Sequence, residues 1–187
     1  NNQDFTFKPT FFDKDIFMFQ NEYRQQNKNS YFIADLNIVD NYKSKKSKEK
    51  NTLTHLFSKF QIDLSYESFI ESSLDFSFQK VNNDTYLKVF DTNIVNTDLK
   101  PDNFDTLTSD IDLNLENENF SLNTGFTAYE NLSKRNSDRY QYVLPYYDFS
   151  TSFFNNNNFA SFNFVSQGDN ILKDTNSLRS RMINNLD

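Results

Sequence analysis

The 187-residue chain contains no cysteine and no tryptophan, and it has only two glycines and three prolines. The absence of cysteine excludes a disulfide framework, a thiolate metal site and a cysteine nucleophile. No apolar run approaches the ~20 residues that a membrane-spanning helix needs. Positive charge is also scarce, since the net charge is −7. This balance argues against a general nucleic-acid binder, because phosphate neutralisation requires clustered Lys and Arg.

Aromatic residues are abundant instead, with 22 Phe and 10 Tyr. The mean hydropathy of −0.76 and the Asn-rich tract at 155–158 are typical of disorder, but disordered chains are poor in aromatics. We therefore expect a folded chain in which Asn takes over the turn positions, because it tolerates left-handed backbone. The chain begins with Asn rather than Met. We therefore expect it to be a fragment of a longer protein.

Large apolar residues recur at every second position, as in LDFSFQKVNNDTYLKVFD at 74–91. This period of two predicts strands with one apolar and one polar face. The apolar faces are Phe5–Phe7–Phe11, Phe17–Phe19–Tyr23, Phe32–Ala34–Leu36–Ile38, Phe60–Ile62–Leu64–Tyr66, Leu74–Phe76–Phe78, Ile111–Leu113–Leu115, Phe120–Leu122–Thr124–Phe126–Ala128, Tyr140–Tyr142–Leu144–Tyr146 and Phe162–Phe164.

Turn-forming clusters separate these runs, which predicts hairpins with short connections. The short turns are expected at 13–15, 26–30, 82–84 and 116–119, and longer connections at 41–51, 92–106 and 131–138. The pattern predicts an all-β, antiparallel up-and-down sheet of roughly eight to ten strands over 1–187, with no long helix. For 165–187 it leaves open a loop or irregular tail, or a helix within LKDTNSLRSRMINNLD.

Segments of about ten alternating residues, with short turns at one end and longer connections at the other, are the signature of a transmembrane β-barrel. The polar face is rich in Asp, Asn, Ser and Gln rather than in Lys and Glu alone. We therefore predict a segment of a transmembrane barrel with lipid outside and water inside. A soluble β-sandwich or a lipocalin-like barrel shows the same alternation and remains an alternative.

Few residues suggest chemistry. His55 is the only histidine, and we expect it on the surface or in a lumen rather than as a metal ligand or catalytic base. Asp110 and Asp112 share a strand face, with Asp105 nearby, but no Gly-bearing loop of calcium-site spacing surrounds them. A water-facing strand explains this trio better than a cation site.

The basic run Lys43–Lys50 is interrupted by Ser and Glu, which favours a solvated loop over a site for anionic headgroups. The chain has no Walker loop, no GxSxG and no GxGxxG motif. We therefore expect no enzymatic activity, and no catalytic, cofactor-binding or metal-binding residue. The substrate-binding residues remain undetermined at this level.

Three segments in order resemble the lipopolysaccharide-assembly outer-membrane protein family (the LptD or OstA family). The first is DFTFKPTFFDKDIFMFQNEYR at 4–24, which is similar to an early barrel hairpin of that family. Its matching positions are Asp4, Phe5, Thr6, Phe7 and Pro9, then Glu22, Tyr23 and Arg24. The family's usual turn glycine is missing, and Asp-Lys-Asp stands in its place.

The second segment, FSFQKVNNDTYLKVFD, resembles a strand-turn-strand of the family. The third, DRYQYVLPYYDFS at 138–150, is similar to its Arg-aromatic-x-aromatic-x-Leu-Pro stretch. The matching positions are Asn83, Asp84, Tyr86, Phe90 and Asp91 in the second, and Arg139, Tyr140, Tyr142, Leu144 and Pro145 in the third. The three segments are spread over residues 4–150. The family's disulfide-forming cysteines have no counterpart in the chain.

The resemblance implies part of an outer-membrane translocon of a Gram-negative bacterium that inserts lipopolysaccharide into the outer leaflet. The lumen would pass the sugar part, while the acyl chains would leave sideways between the first and last strands. The implied partners are lipopolysaccharide, a plug lipoprotein, periplasmic bridge proteins and outer-membrane lipid. The resemblance further implies that the chain holds about an early third of the strands. The first two strands, the last strand with its lateral gate, and the periplasmic domain would lie outside it.

Two other functions fit the same alternation. One is a different outer-membrane β-barrel, such as a porin or a receptor, which strand number and gate geometry would distinguish. The other is a soluble all-β carbohydrate-binding module, which would stay soluble without detergent and bury its aromatics against a second sheet.

Overall fold

The computed structural model describes residues 2–12, 15–44, 49–90, 94, 99–135, 138–154, 161–173 and 177–187. Its described part is all-β apart from one short helix. The elements are β1 (Asn2–Phe11), β2 (Phe17–Gln26), β3 (Ser30–Tyr42), β4 (Asn51–Asp63), β5 (Glu71–Val81), α1 (Tyr86–Phe90), β6 (Thr106–Asn117), β7 (Phe120–Asn131), β8 (Tyr140–Phe154), β9 (Ser161–Lys173) and β10 (Leu178–Leu186).

The ten strands form one sheet in which each strand pairs antiparallel with its neighbours in sequence. This confirms the predicted antiparallel meander, at the upper end of the expected strand number. In the described part of the chain β1 and β10 are the two edges, so the sheet is open there. No described helix is long and apolar enough to cross a membrane.

The strand register aligns large apolar side chains into rows that run across the sheet. Phe32 pairs with Phe60, Phe60 with Phe76, Phe76 with Ile111, and Ile111 with Phe126. Such direct cross-strand pairs are the unit that stabilises a sheet. The sequence places these five residues on one face, which we call the apolar face, and the register confirms that placement.

The next row, one residue further along or back on each strand, lies on the opposite face. It runs from Ile33 through Lys59, Ser77 and Asp110 to Thr127. We call this side the polar face. A slip of one residue in any strand would exchange its two faces, so the alternation itself fixes the register.

Asparagine builds several of the turns, as expected for a chain with so little glycine. Between β2 and β3, Asn27 donates its backbone N–H to the Ser30 carbonyl at 2.8 Å. Between β6 and β7, the Asn117 side-chain oxygen accepts the Asn119 N–H at 3.0 Å. The predicted turns at 26–30 and 116–119 are thus confirmed. The predicted turn at 13–15 falls partly on residues 13 and 14, outside the described residues, as do 45–48 of the basic run and 155–158 of the Asn-rich tract.

Residues 86–90 are helical, and the strand expected there after the 82–84 turn is wrong. Asn83 begins the helix, because its side-chain oxygen accepts the Thr85 N–H at 2.9 Å and its carbonyl accepts the Tyr86 N–H at 3.0 Å. The buried residues Tyr86, Leu87 and Phe90 occupy helical spacing. A short helix buries all three on one side, which a strand cannot do.

The C-terminal region is also more regular than expected. Residues 165–173 complete β9, and 178–186 form β10, so a loop, irregular tail or helix over 165–187 is wrong. The pairing of Asp169 with Arg181 and of Phe164 with Leu186 supplies the reason. Strand β10 is exposed along its whole length. Because neither of its faces is buried, neither needs to be apolar, and its sequence alternates only weakly.

The densest apolar packing lies on the polar face, at the end of the sheet where α1 docks. Here Tyr86, Leu87 and Phe90 join apolar residues from strands β2 to β5. The strand residues of this cluster on the polar face are Met18, Ile33, Val39, Leu53, Phe57 and Val81. The polar face is therefore not uniform: apolar side chains collect under the helix around the buried Asp35, Asn37 and His55, and polar side chains dominate elsewhere.

Candidate functional site

The polar face carries a candidate site, a cavity of about 530 Å³ over strands β4 to β7. Hydroxyl, amide, carboxylate and ammonium groups dominate its lining. The polar lining residues are Ser58, Lys59, Asp75, Ser77, Gln79, Asp110, Asp112, Asn114 and Asn123. Leu99, from the connection that follows α1, also lines the cavity, and its carbonyl accepts a hydrogen bond from Gln79 Nε2 at 3.1 Å.

Carboxylates on adjacent strands face one another in this cavity. Asp75 pairs directly with Asp112 across β5 and β6, and Asp110 accepts a hydrogen bond from the Ser77 hydroxyl at 2.7 Å. Asp105 lies elsewhere, where it binds Lys88 Nζ at 2.6 Å. The structure thus separates Asp105 from the pair that the sequence associates with it. Among the described residues no group of three or more His, Cys, Asp or Glu is arranged to hold a metal ion.

His55 is fully buried beneath α1, with 1% of its surface exposed. Its Nδ1 lies 2.8 Å from the Tyr86 hydroxyl, while Nε2 lies 3.2 Å from Asp35 Oδ2 without the alignment of a hydrogen bond. Its ring stacks on Phe57 with the centroids 4.2 Å apart. The expectation of a surface or lumen residue is wrong, because helix α1 covers the ring, and nothing in the local sequence indicates that cover.

Burial also acts on the hydroxyl of Tyr86. Desolvation raises the pKa of Tyr86 far above its ordinary value, and the nearby Asp35 carboxylate raises it further. The phenol therefore stays neutral and hydrogen-bonded to His55. Next to it, the Asn37 amide is wholly buried. Its interaction with the Tyr86 hydroxyl partly offsets the rise in the pKa of Tyr86, although neither amide atom meets the geometry of a hydrogen bond.

An ion-pair cluster joins the turn before α1 to strands β5 and β7 and to Arg139, the residue before β8. Arg139 binds both carboxylate oxygens of Asp84, at 2.7 and 3.2 Å, and binds Glu130 Oε1 at 2.6 Å. Lys80 Nζ binds the other oxygen of Glu130 at 2.7 Å. The hydrogen bond from Arg139 lowers the pKa of Asp84, and the same bond raises the pKa of Arg139. The cluster therefore anchors the turn that precedes α1 to the neighbouring strands.

The apolar face is the more exposed side of the central strands. Phe76 is 37% exposed, Ile111 42% and Phe126 48%, whereas the polar residues Ser77, Asp110 and Asp112 of the opposite face are half-buried. A soluble sheet with one wet face has the reverse arrangement. Strand β1 continues the exposed apolar face with Phe5, Phe7 and Phe11.

The three sequence segments at 4–24, 76–91 and 138–150 contribute to different elements, namely the β1–β2 hairpin, β5 with α1, and β8. In the first hairpin the matching residues are direct partners, since Asp4 pairs with Arg24, Phe5 with Tyr23 and Thr6 with Glu22. The second and third segments touch through the ion pair of Asp84 with Arg139.

No protein-family model, curated protein sequence or solved structure matches this chain. The structure itself shows an all-β sheet of ten antiparallel strands in the described part of the chain.

Proposed function

We propose that this chain forms part of the wall of an outer-membrane β-barrel, and that the barrel is a translocon which inserts lipopolysaccharide into the outer leaflet. The observation that carries the proposal is the inverted exposure of the sheet. Large apolar residues such as Phe76 and Phe126 lie open on one face, while carboxylates and amides lie half-covered on the other. Lipid against the first face covers its apolar side chains, and water against the second face solvates its carboxylates and amides.

The chemistry of the polar face suits a saccharide in transit. Ser77, Gln79, Asn114 and Asn123 present hydroxyl and amide groups to the same cavity. Such groups exchange hydrogen bonds with sugar hydroxyls and require no catalytic residue. The partners of this function are the lipid itself, a plug lipoprotein in the lumen and the periplasmic bridge that delivers the substrate.

The choice of lipopolysaccharide rather than another cargo depends on the family resemblance of the three segments. Two observations support it. The residues of the first segment are partners across one hairpin, and Asp84 of the second segment binds Arg139 of the third. Residues of these segments that are distant in the sequence are thus direct partners in the structure.

The lipid-facing assignment is tested with single tryptophans, since the chain has none of its own. Phe60 and Lys59 are neighbours on β4 that lie on opposite faces. In vesicles with brominated acyl chains, the fluorescence of Phe60→Trp is expected to be quenched and that of Lys59→Trp to be spared. Equal quenching of the two, or a chain that stays soluble without lipid or detergent, would favour the soluble binding module.

The cargo is tested separately in living Gram-negative cells. A photo-crosslinking amino acid at Ser77, within the cavity, is expected to capture lipopolysaccharide, while the same group at Phe126 on the apolar face captures membrane phospholipid. If the tryptophan pair behaves as expected but Ser77 captures no lipopolysaccharide, the chain belongs to a barrel with another cargo, such as a porin or a receptor.

A further inference from the structure

A second cavity opens on the polar face beside the turn between β2 and β3. It has a volume of about 190 Å³ and extends from this turn onto strands β3, β4 and β5. The residues that line it include Lys28, Tyr31, Gln61, Asp63 and Ser73. Sugar hydroxyls form hydrogen bonds with such polar groups, and the C–H face of a sugar ring packs against an aromatic ring such as that of Tyr31.

The two cavities of the polar face border one another along β5. Ser73 lines the smaller cavity, and its hydroxyl donates a hydrogen bond to Asp75 of the larger cavity at 3.1 Å. Asn114 Nδ2 lies 3.4 Å from both Ser73 Oγ and Asp75 Oδ2. Gln61 of the smaller cavity is the direct cross-strand partner of Asp75. The two cavities therefore form one continuous groove, lined by the residues of both, which we call the polar track.

The polar track ends beneath the connection that carries α1. The residues of β5 on the polar face are, in order, Ser73, Asp75, Ser77, Gln79 and Val81. From Ser73 to Gln79 the track extends about 20 Å, because a strand rises about 3.4 Å per residue. Gln79 ends it, since Nε2 donates to the Leu99 carbonyl at 3.1 Å and Oε1 accepts the Thr108 N–H at 2.9 Å. Beyond Gln79, Val81 belongs to the apolar cluster under α1, so the track continues only toward the β2–β3 turn.

The charges of the polar track favour neutral sugars over phosphorylated ones. Its charged lining residues, within the described part of the chain, are the carboxylates of Asp63, Asp75, Asp110 and Asp112 and the ammonium groups of Lys28 and Lys59. Because the carboxylates outnumber the ammonium groups, a phosphate would meet net repulsion. Sugar hydroxyls donate to carboxylates and accept from ammonium groups, so they bind to both.

We propose that the polar track binds one chain of several neutral sugar units along its whole length. One end of the chain packs on Tyr31, and the other end reaches Ser77 and Asp110. A single sugar unit is much shorter than the track, so only a chain of units contacts both cavities at once. The inference rests on the proposed function for the presence of a saccharide, and it adds that two cavities hold it as one ligand.

The length of the ligand is tested in the refolded full chain in detergent. Tyr31→Trp is the reporter, because the chain has no tryptophan of its own. The probe is the oligosaccharide released from lipopolysaccharide by mild acid and then dephosphorylated, and its complete hydrolysate, with the same sugar composition, is the matched control. The oligosaccharide is expected to change the fluorescence at a concentration about tenfold lower than the hydrolysate, because one chain makes the hydrogen bonds of both cavities. The oligosaccharide that keeps its phosphates is expected to bind more weakly.

A substitution in the larger cavity shows whether one ligand occupies both cavities. Asp112→Leu removes a carboxylate acceptor there, and Ile111→Leu, on the opposite face of the same strand, is the matched control. Asp112→Leu is expected to weaken the binding of the oligosaccharide at Tyr31→Trp about tenfold and to leave the binding of the hydrolysate unchanged. Ile111→Leu is expected to change neither. If Asp112→Leu does not refold, Lys59→Met in the same cavity takes its place.

The outcomes separate this inference from the barrel-wall proposal. Equal binding of the oligosaccharide and its hydrolysate, or an unchanged affinity in the cavity variant, would refute the polar track, whatever the Phe60→Trp and Lys59→Trp pair shows in lipid. Tighter binding of the phosphorylated form would refute the preference for neutral sugars. If that tryptophan pair is quenched equally while the dependence on ligand length holds, the polar track is confirmed on a soluble saccharide-binding module.

Discussion

Arg139 and Asp84 lie 55 positions apart in the sequence and form a two-point ion pair, with Nη2 2.7 Å from Oδ1 and Nη1 3.2 Å from Oδ2. The planar guanidinium matches the carboxylate in a way that a lysine ammonium cannot. The same guanidinium holds Glu130, whose side chain is 9% exposed. One arginine thus links the turn before α1 to a nearly buried carboxylate on β7.

We expect Arg139→Gln to lower the free energy of unfolding by about 1–3 kcal/mol, because the nearly buried Glu130 loses a charged partner. Lys80 remains bonded to Glu130 and limits the loss. Chemical denaturation of the refolded chain, followed by circular dichroism, measures the change. Asp105→Asn is the matched control, since its ion pair with Lys88 is half-exposed, and it is expected to change stability far less. Equal effects of the two substitutions would contradict the special role of Arg139.

The stability contributed by Asp84 is expected to depend on pH. Arg139 holds the pKa of Asp84 below its ordinary value of about 3.9. The contribution of this carboxylate is therefore complete above the unfolded-state pKa and is lost as the pH falls through the lower, folded-state pKa. The difference in unfolding free energy between the parent chain and Asp84→Asn is expected to be constant from pH 7 to 5 and to shrink below about pH 4. A difference that persists undiminished at pH 2 would show that the ion pair is not its source.

Arginine substitutions on the two faces are expected to differ in lipid. Phe76→Arg, in the middle of β5, places a charge on the apolar face and is expected to cost about 2–4 kcal/mol near the bilayer midplane, while Ile62→Arg, near the end of β4, is expected to cost less. Ser77→Arg, one residue away, enters the cavity beside Asp110 and is expected to be mild. Asp63→Arg on the polar face is the second control. Folding titrations into lipid vesicles measure all four, and equal tolerance on both faces would contradict the barrel-wall assignment.

Both glycines of the chain lie within strands rather than in turns. A Cβ on Gly125 would collide with the Ile111 backbone carbonyl and lie 2.8 Å from Asp112 Oδ1, while a Cβ on Gly168 would meet first the ring of Tyr147. Because backbone cannot move aside and a ring can, Gly125→Ala is expected to destabilise by about 1–3 kcal/mol and Gly168→Ala by less. Thermal or denaturant unfolding of the two variants ranks them, and the reverse order would contradict this packing.

The alternation of the sequence determined the sheet and its two faces. Phe60 and Phe76 lie in one cross-strand row, and Lys59 and Ser77 in the next, because side chains on a strand alternate with a period of two. This information is local, so it was readable without the fold. The turns at 26–30 and 116–119 were readable for the same reason, since Asn bonds to its own neighbouring backbone.

Tertiary structure alone decided the rest. The helix 86–90 forms because Tyr86 meets His55 and Phe90 meets Tyr42, contacts that span tens of residues and outweigh the local preference of YLKVF for a strand. The partnership of Asp84 with Arg139 and the burial of His55 depend on the same placement. Strand β10 likewise forms because it pairs with β9, and not because its own sequence alternates. A period of two is a property of neighbouring residues, whereas the helix over the polar face depends on which distant segments the folded sheet brings together.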